Sequence, residues 1–270
     1  MSFYRRLRTF MLFMKEAFLV SLVLFLLQPV AVASMPAIQP LFEEALAASE
    51  QGEPAVALTL WDQVLEIAPN DVAALRNRGN VQLALGDPEG AIVDQTRALE
   101  LSPADLDLHF NRAIAEEELQ HWAAAADDYT WILESDAGDA SAIYNLGNVR
   151  GSQGDWNAAA VLYGKAAKVR PGFVMARSSE ALATYQLGDL KTAEAELRQL
   201  IRRYPMFADA RAALSGLLWQ QGFDGEAQSH WAAAAGLDNR YRQRDWLQRV
   251  RRWPPQPTAD LMTFLALESQ

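Results

Sequence analysis

A glycine recurs every 34 residues through most of this chain, at positions 52, 86, 154, 188 and 222, with Gln120 standing once in its place. Five residues beyond each position stands alanine without exception: Ala57, Ala91, Ala125, Ala159, Ala193 and Ala227. Seven residues before it the side chain is always small: Ala45, Gly79, Ala113, Gly147, Ala181 and Ser215. Seventeen residues after it come Pro69, Pro103, Ala137, Pro171, Pro205 and Asn239. The period runs without insertion through six units, from Ile38 to Tyr241. A unit of this length cannot bury its own apolar faces, so stacked neighbours must supply the core.

The columns predict the contents of a unit. Apolar residues recur at helical spacing and strand-like alternation is scarce, so the expectation is all-α. A first helix, such as 74–85, ends at the recurring glycine, because a helix C-terminus favours a left-handed residue. A second helix, such as 89–101, ends before the proline. The small and alanine columns let backbones approach. Trp61, Tyr129, Tyr163, Leu197 and Trp231 then fill the space between units.

The run Ala142-Ile143-Tyr144-Asn145-Leu146-Gly147-Asn148, with Gly154-Asp155, Ala159, Tyr163, Ala166 and Pro171, resembles the tetratricopeptide repeat (TPR) family. The resemblance implies a right-handed superhelix, an α-solenoid of six helix-turn-helix repeats at 38–71, 72–105, 106–139, 140–173, 174–207 and 208–241. A C-terminal capping helix and tail follow over 242–270. The third repeat, with Gln120 and Ala137, and the last, with Asn239, depart from the pattern.

In that family the first helices line a concave groove. The matching positions here are Arg76, Asn77, Asn80, Phe110, Asn111, Tyr144, Asn145, Asn148, Ser178, Tyr185 and Trp219. Asn77, Asn111 and Asn145 recur one per repeat. An amide donates and accepts, so such a column resembles the asparagine ladder that holds an extended peptide by its backbone. The alternative is that these amides bond locally. Phe42, Phe110 and Tyr144 share a second groove position, as aromatic pockets or as packing. The family's two-carboxylate clamp is absent, because Ser141 and Asn145 replace its basic residues.

Charge narrows the partners. The chain carries −10 overall, but residues 1–33 and 240–270 each carry +3, which leaves −16 on residues 34–239. An acidic body argues against nucleic acid, which needs a basic face. There is no cysteine, so thiol catalysis and cysteine-ligated metals are excluded. His109, His121 and His230 fall in no metal-ligand pattern, and His109 reads as a core residue. Glu116-Glu117-Glu118 and Asp127-Asp128 are consecutive, fan out around a helix and read as solvated faces. No nucleophile elbow or phosphate loop occurs. The expectation is a protein without enzymatic activity, metal or cofactor.

The two ends differ from the body. Residues 1–33 combine Arg5, Arg6, Arg8 and Lys15, an apolar run from Ala17 to Leu27, and small residues ending in Ala31-Val32-Ala33. This is the layout of a signal peptide cleaved after Ala33, with 34–37 as linker. The other reading is an uncleaved anchor, since Ala17–Met35 approaches the ~20 residues that cross a bilayer. At the other end Trp246, Val250 and Trp253 form an apolar stripe, consistent with a cap over the last repeat. Arg249, Arg251 and Arg252 beside it offer a basic patch for anionic lipid or an acidic partner.

The tail pattern D-N-R-Y…W-L…R-x-W-P-P…F-L also looks like a group of cyanobacterial TPR proteins with lumenal chloroplast relatives. That resemblance implies export to the periplasm or thylakoid lumen and help in photosynthetic assembly. The functional expectation is a protein-binding scaffold or assembly factor. The alternative is a membrane-anchored accessory subunit of an enzyme or photosynthetic complex.

Overall fold

The computed structural model describes residues 35–268. The leader or anchor expected over residues 1–33 lies outside them. The chain divides after Pro69 into two compact bodies. The described part of the first holds α1 (Met35–Glu50) and α2 (Pro54–Ile67), packed on each other. Ala45 and Ala57 are fully buried between them. The Trp61 indole is enclosed there, donates to Ser49 Oγ at 3.1 Å and meets Phe42 edge-on at 4.9 Å.

The second body begins at Asn70. Its helices are α3 (Val72–Ala84), α4 (Pro88–Leu101), α5 (Leu106–Glu118), α6 (Trp122–Ser135), α7 (Ala140–Ser152) and α8 (Trp156–Val169). They continue as α9 (Val174–Gln186), α10 (Leu190–Arg203), α11 (Ala208–Gln220) and α12 (Asp224–Leu237). Each packs on its neighbours in sequence, which is the all-α solenoid that the period requires.

Local chemistry fixes where these helices start and stop. Asp71, Asp105 and Asp139, 34 residues apart, cap α3, α5 and α7 by accepting backbone N–H groups of the first turn. Asp87, Asp155 and Asp189 do the same for α4, α8 and α10. At the end of α7, Gly154 takes φ of +84°, and the Asp155 amide reaches back to the Arg150 carbonyl at 2.9 Å. This wrap satisfies carbonyls the helix leaves open. Gln120 adopts the same conformation at φ of +59°, which costs a residue with a Cβ about 1–2 kcal/mol.

The alanine column is buried throughout, and Tyr129, Tyr163 and Leu197 lie enclosed beside it. Two repeats use ion pairs between their helices. Arg78 grips Asp94 with two bonds of 2.7 Å, and Arg112 grips Asp128 at 2.7 and 2.8 Å. One period later Leu146 and Leu162 occupy those positions and join apolar clusters instead. His109 is a core residue: it stacks on Trp131 at 3.8 Å, and its Nδ1 lies 2.7 Å from Asp128.

Two acidic residues correct the expectation of solvated faces. Asp128 is buried because it serves both Arg112 and His109. Glu117 is buried because it accepts the Tyr129 hydroxyl at 2.7 Å. Burial pushes the Glu117 carboxyl above the usual range, against the opposing pull of Tyr129 and Arg252.

Candidate functional site

The expected groove residues sit on the first helices α3, α5, α7, α9 and α11. What decides their fate is the C-terminal segment. It runs through a 3-10 turn (Asn239–Arg242), α13 (Arg244–Arg249) and α14 (Pro255–Glu268). Tyr241, Leu247 and Trp253 join the cluster that includes Trp231 of α12, so the segment covers the last repeat as a cap does. It then doubles back, and α14 lies across α11 and more lightly across α9, both first helices. The approach is close: a Cβ at Gly216 would stand 3.0 Å from the backbone nitrogen of Leu261. Glycine is what lets α14 sit this deep.

Three of the expected groove residues, Ser178, Tyr185 and Trp219, are consumed by this contact. Tyr185 is buried and donates its hydroxyl to Asp260 at 2.8 Å. Burial, reinforced by the Asp260 charge, pushes its phenol well above the usual range. Trp219 is half-buried against the same cluster as Phe264 and Leu265. Gln186 anchors the start of α14 by accepting the Gln256 backbone N–H at 2.7 Å.

The polar centre of the contact is Asp209, on α11 and fully buried. Its Oδ1 receives Arg251 Nη2 at 2.7 Å, Tyr241 Oη at 2.9 Å, Trp253 Nε1 at 3.0 Å and Arg251 Nε at 3.1 Å. Its Oδ2 receives the Ser178 hydroxyl at 2.5 Å. A buried carboxylate persists only when it is paired and bonded in this way. For Arg251 burial works against the charge, but Asp209 outweighs it and holds the guanidinium above the usual arginine range.

Arg252, at φ of +55°, forms the corner and turns its side chain to Glu117 of α5 at 3.4 Å. The expected basic patch is therefore not assembled. Arg251 and Arg252 point inward to carboxylates of opposite sign, and Arg249 alone of the three is exposed. Sequence reading missed Asp209 and Glu117 as partners of the tail. The available signal was an acid at a groove position combined with a tail of opposite charge.

The other candidates lie on α3, α5 and α7. Asn148 accepts the Tyr163 hydroxyl at 3.0 Å and donates to Asn145 Oδ1 at 3.3 Å. The carbonyl end of the Asn145 amide is thereby engaged locally. Asn80 accepts from Gln95 at 3.1 Å. Arg76 stands 3.8 Å from both Asp105 and Asp107. Phe110 packs edge-on against Tyr129 at 5.6 Å, and Tyr144 packs against Tyr163 and Phe173 at 5.4 and 4.9 Å. Asn77 and Asn111 differ: both are half-exposed and make no side-chain hydrogen bond among the described residues. The groove thus has a filled half at α9 and α11 and an open half at α3 and α5.

Solved structures of similar fold share little sequence with the chain. A tetratricopeptide repeat protein from Parabacteroides merdae is 18% identical, with a TM-score of 0.69 over 86% of this chain and 99% of its own. MamA from Desulfovibrio magneticus RS-1 is 18% identical, with a TM-score of 0.58 over 61% of this chain and 93% of its own. YrrB, described as a TPR protein with an unusual peptide-binding site, is 17% identical, with a TM-score of 0.52 over 66% and 92%. No curated protein matches the chain in sequence. The family model for the tetratricopeptide repeat matches residues 42–105, 110–172, 144–196 and 178–257. Together with the stacked helix pairs, these matches show that the chain belongs to the tetratricopeptide repeat family.

Proposed function

We propose that the protein is a non-enzymatic scaffold that holds a segment of a partner protein in the open half of its groove. The observation that carries this reading is the pair Asn77 and Asn111. They stand 34 residues apart on α3 and α5, with amides left uncommitted while Asn145 and Asn148 are tied up. An amide that donates and accepts matches both groups of a peptide unit. The peptide-binding site of YrrB, on a similar fold, agrees with this use. Arg76, Asn80 and Phe110 flank the two amides on the same helices.

Crosslinking of the native protein followed by mass spectrometry names the partner. Asn77→Ala with Asn111→Ala is then expected to weaken its binding about tenfold or more, at ~1.4 kcal/mol per decade. Undiminished affinity in the double variant sinks the groove reading.

The site of action follows from the N-terminus. The basic start, apolar run and Ala31-Val32-Ala33 support export to a periplasm or thylakoid lumen. The tail pattern supports a role in assembling photosynthetic complexes there. Tyr241, Leu247, Trp253 and Phe264 of this pattern are buried in the groove contact. Among the described residues no helix is long and apolar enough to cross a membrane. The length of Ala17–Met35 favours a second reading, an anchored accessory subunit. N-terminal sequencing of the native protein separates them: a start at Ser34 means a soluble exported scaffold, and a start near Met1 means an anchored one.

A further inference from the structure

Where the filled half of the groove meets the open half, the chain forms an open cleft of about 360 Å³. Its apolar walls are Ile114 of α5, Tyr144 of α7, Phe173 and Met175 at the start of α9, and Val250 of the tail. The size lies near the lower bound for small-ligand pockets, roughly 300–1,000 Å³. It has room for one bulky side chain, with Asn145 and Asn148 among its polar lining. Val250 stands at its mouth, 63% exposed.

The charges around the cavity are already matched, except one. Arg251 is held by Asp209 at 2.7 Å, and Arg252 is 3.4 Å from Glu117. Glu118 also lines the cavity, is exposed, and makes no ion pair among the described residues. The chain itself shows what such a lining accepts. One step along the groove, the tail inserts Trp253 beside Arg251 and Arg252, with the ring enclosed and the guanidinium groups on carboxylates.

We propose that this cavity receives one large apolar side chain of the partner segment, with a neighbouring Lys or Arg of that segment pairing with Glu118. This rests on the groove reading above and adds the chemical class of the occupant. The −16 on residues 34–239 steers a cationic segment towards it. The bend at 250–252 ends the open groove, so the apolar residue marks the place where the bound segment stops or turns away. The cavity exists only because the tail doubles back, which makes it a property of this chain's own C-terminus.

The test is selection of phage-displayed random dodecapeptides on the full-length protein, followed by binding of synthetic copies. Enriched peptides are expected to share a leucine, methionine or aromatic residue next to Lys or Arg. Their affinity is expected to fall about tenfold with Glu118→Lys and again with Val250→Glu. Both positions are exposed, so the variants keep their fold, and unchanged circular dichroism checks this. Peptides weakened by Asn77→Ala with Asn111→Ala but indifferent to Glu118→Lys and Val250→Glu overturn this cavity and leave the groove reading standing. Peptides indifferent to all four substitutions, or no enrichment at all, overturn both.

Discussion

Arg251→Ala is expected to destabilise the C-terminal half of the protein by about 3–5 kcal/mol. The reason is the residue it abandons rather than the contact it removes. Asp209 is fully buried, and Arg251 is the only cation bonded to it among the described residues. The hydroxyls of Ser178 and Tyr241 and the Trp253 indole N–H remain, but three neutral donors do not compensate a buried negative charge. The measurement is denaturant unfolding, with hydrogen exchange to localise the loss to α9, α11 and the tail. Localisation matters because repeat arrays unfold in parts and a single transition is not guaranteed.

A second variant isolates the electrostatic cause. Asp209→Asn with Arg251→Met removes both charges, while the introduced amide keeps an oxygen for the indole and the Tyr241 hydroxyl and offers a donor to the Ser178 oxygen. This double variant is expected to recover most of the loss, since a buried pair replaced as a unit is often nearly neutral. A single Arg251→Ala variant as stable as the parent would show that Asp209 has no need of a counter-charge.

That cluster also shows where sequence reasoning stops. Contacts within and between neighbouring helices repeat with the 34-residue period, so they leave columns in the sequence. Ala159, Tyr163 and Gly154 were legible for that reason, and each has the packing or turn role its column implies. The Asp71, Asp105 and Asp139 caps follow the same period. The tail contacts do not repeat. Tyr185 meets Asp260 across 75 residues, and Gln186 meets Gln256 across 70, once each. A periodic reading has no column for such a pair.

It therefore placed Tyr185 and Trp219 on an open groove and turned all three arginines outward. Asp209, Glu117 and Glu118 stand on first helices of their repeats, as Asn77 and Asn111 do. An acidic side chain there reads as solvated until a partner is known, and the partner was the chain's own tail. Polarity misled in the same way at Asp128. Helical spacing shows which way a carboxylate points, but not that Arg112 and His109 wait across the hairpin.

Phe264→Ala tests whether the tail is held by its apolar face as firmly as by its ion pair. Phe264 is buried on α14 among residues of α11, and truncating a buried phenylalanine costs about 3–5 kcal/mol. Phe264 is the largest of the side chains that hold the helix. Its other buried anchors, Leu261 and Leu265, lie on the same face, and the Tyr185–Asp260 bond depends on their register. Hydrogen exchange is expected to show α14 losing protection first, with α9 and α11 following as Tyr185 and Trp219 meet water. Protection in α3 to α6 is expected to stay, because each repeat contacts only its neighbours. Persisting α14 protection in Phe264→Ala would place the grip of the tail in the Asp209 cluster alone. Loss of protection in α3 to α6 as well would mean that the tail stabilises the whole second body, not only the half of the groove it fills.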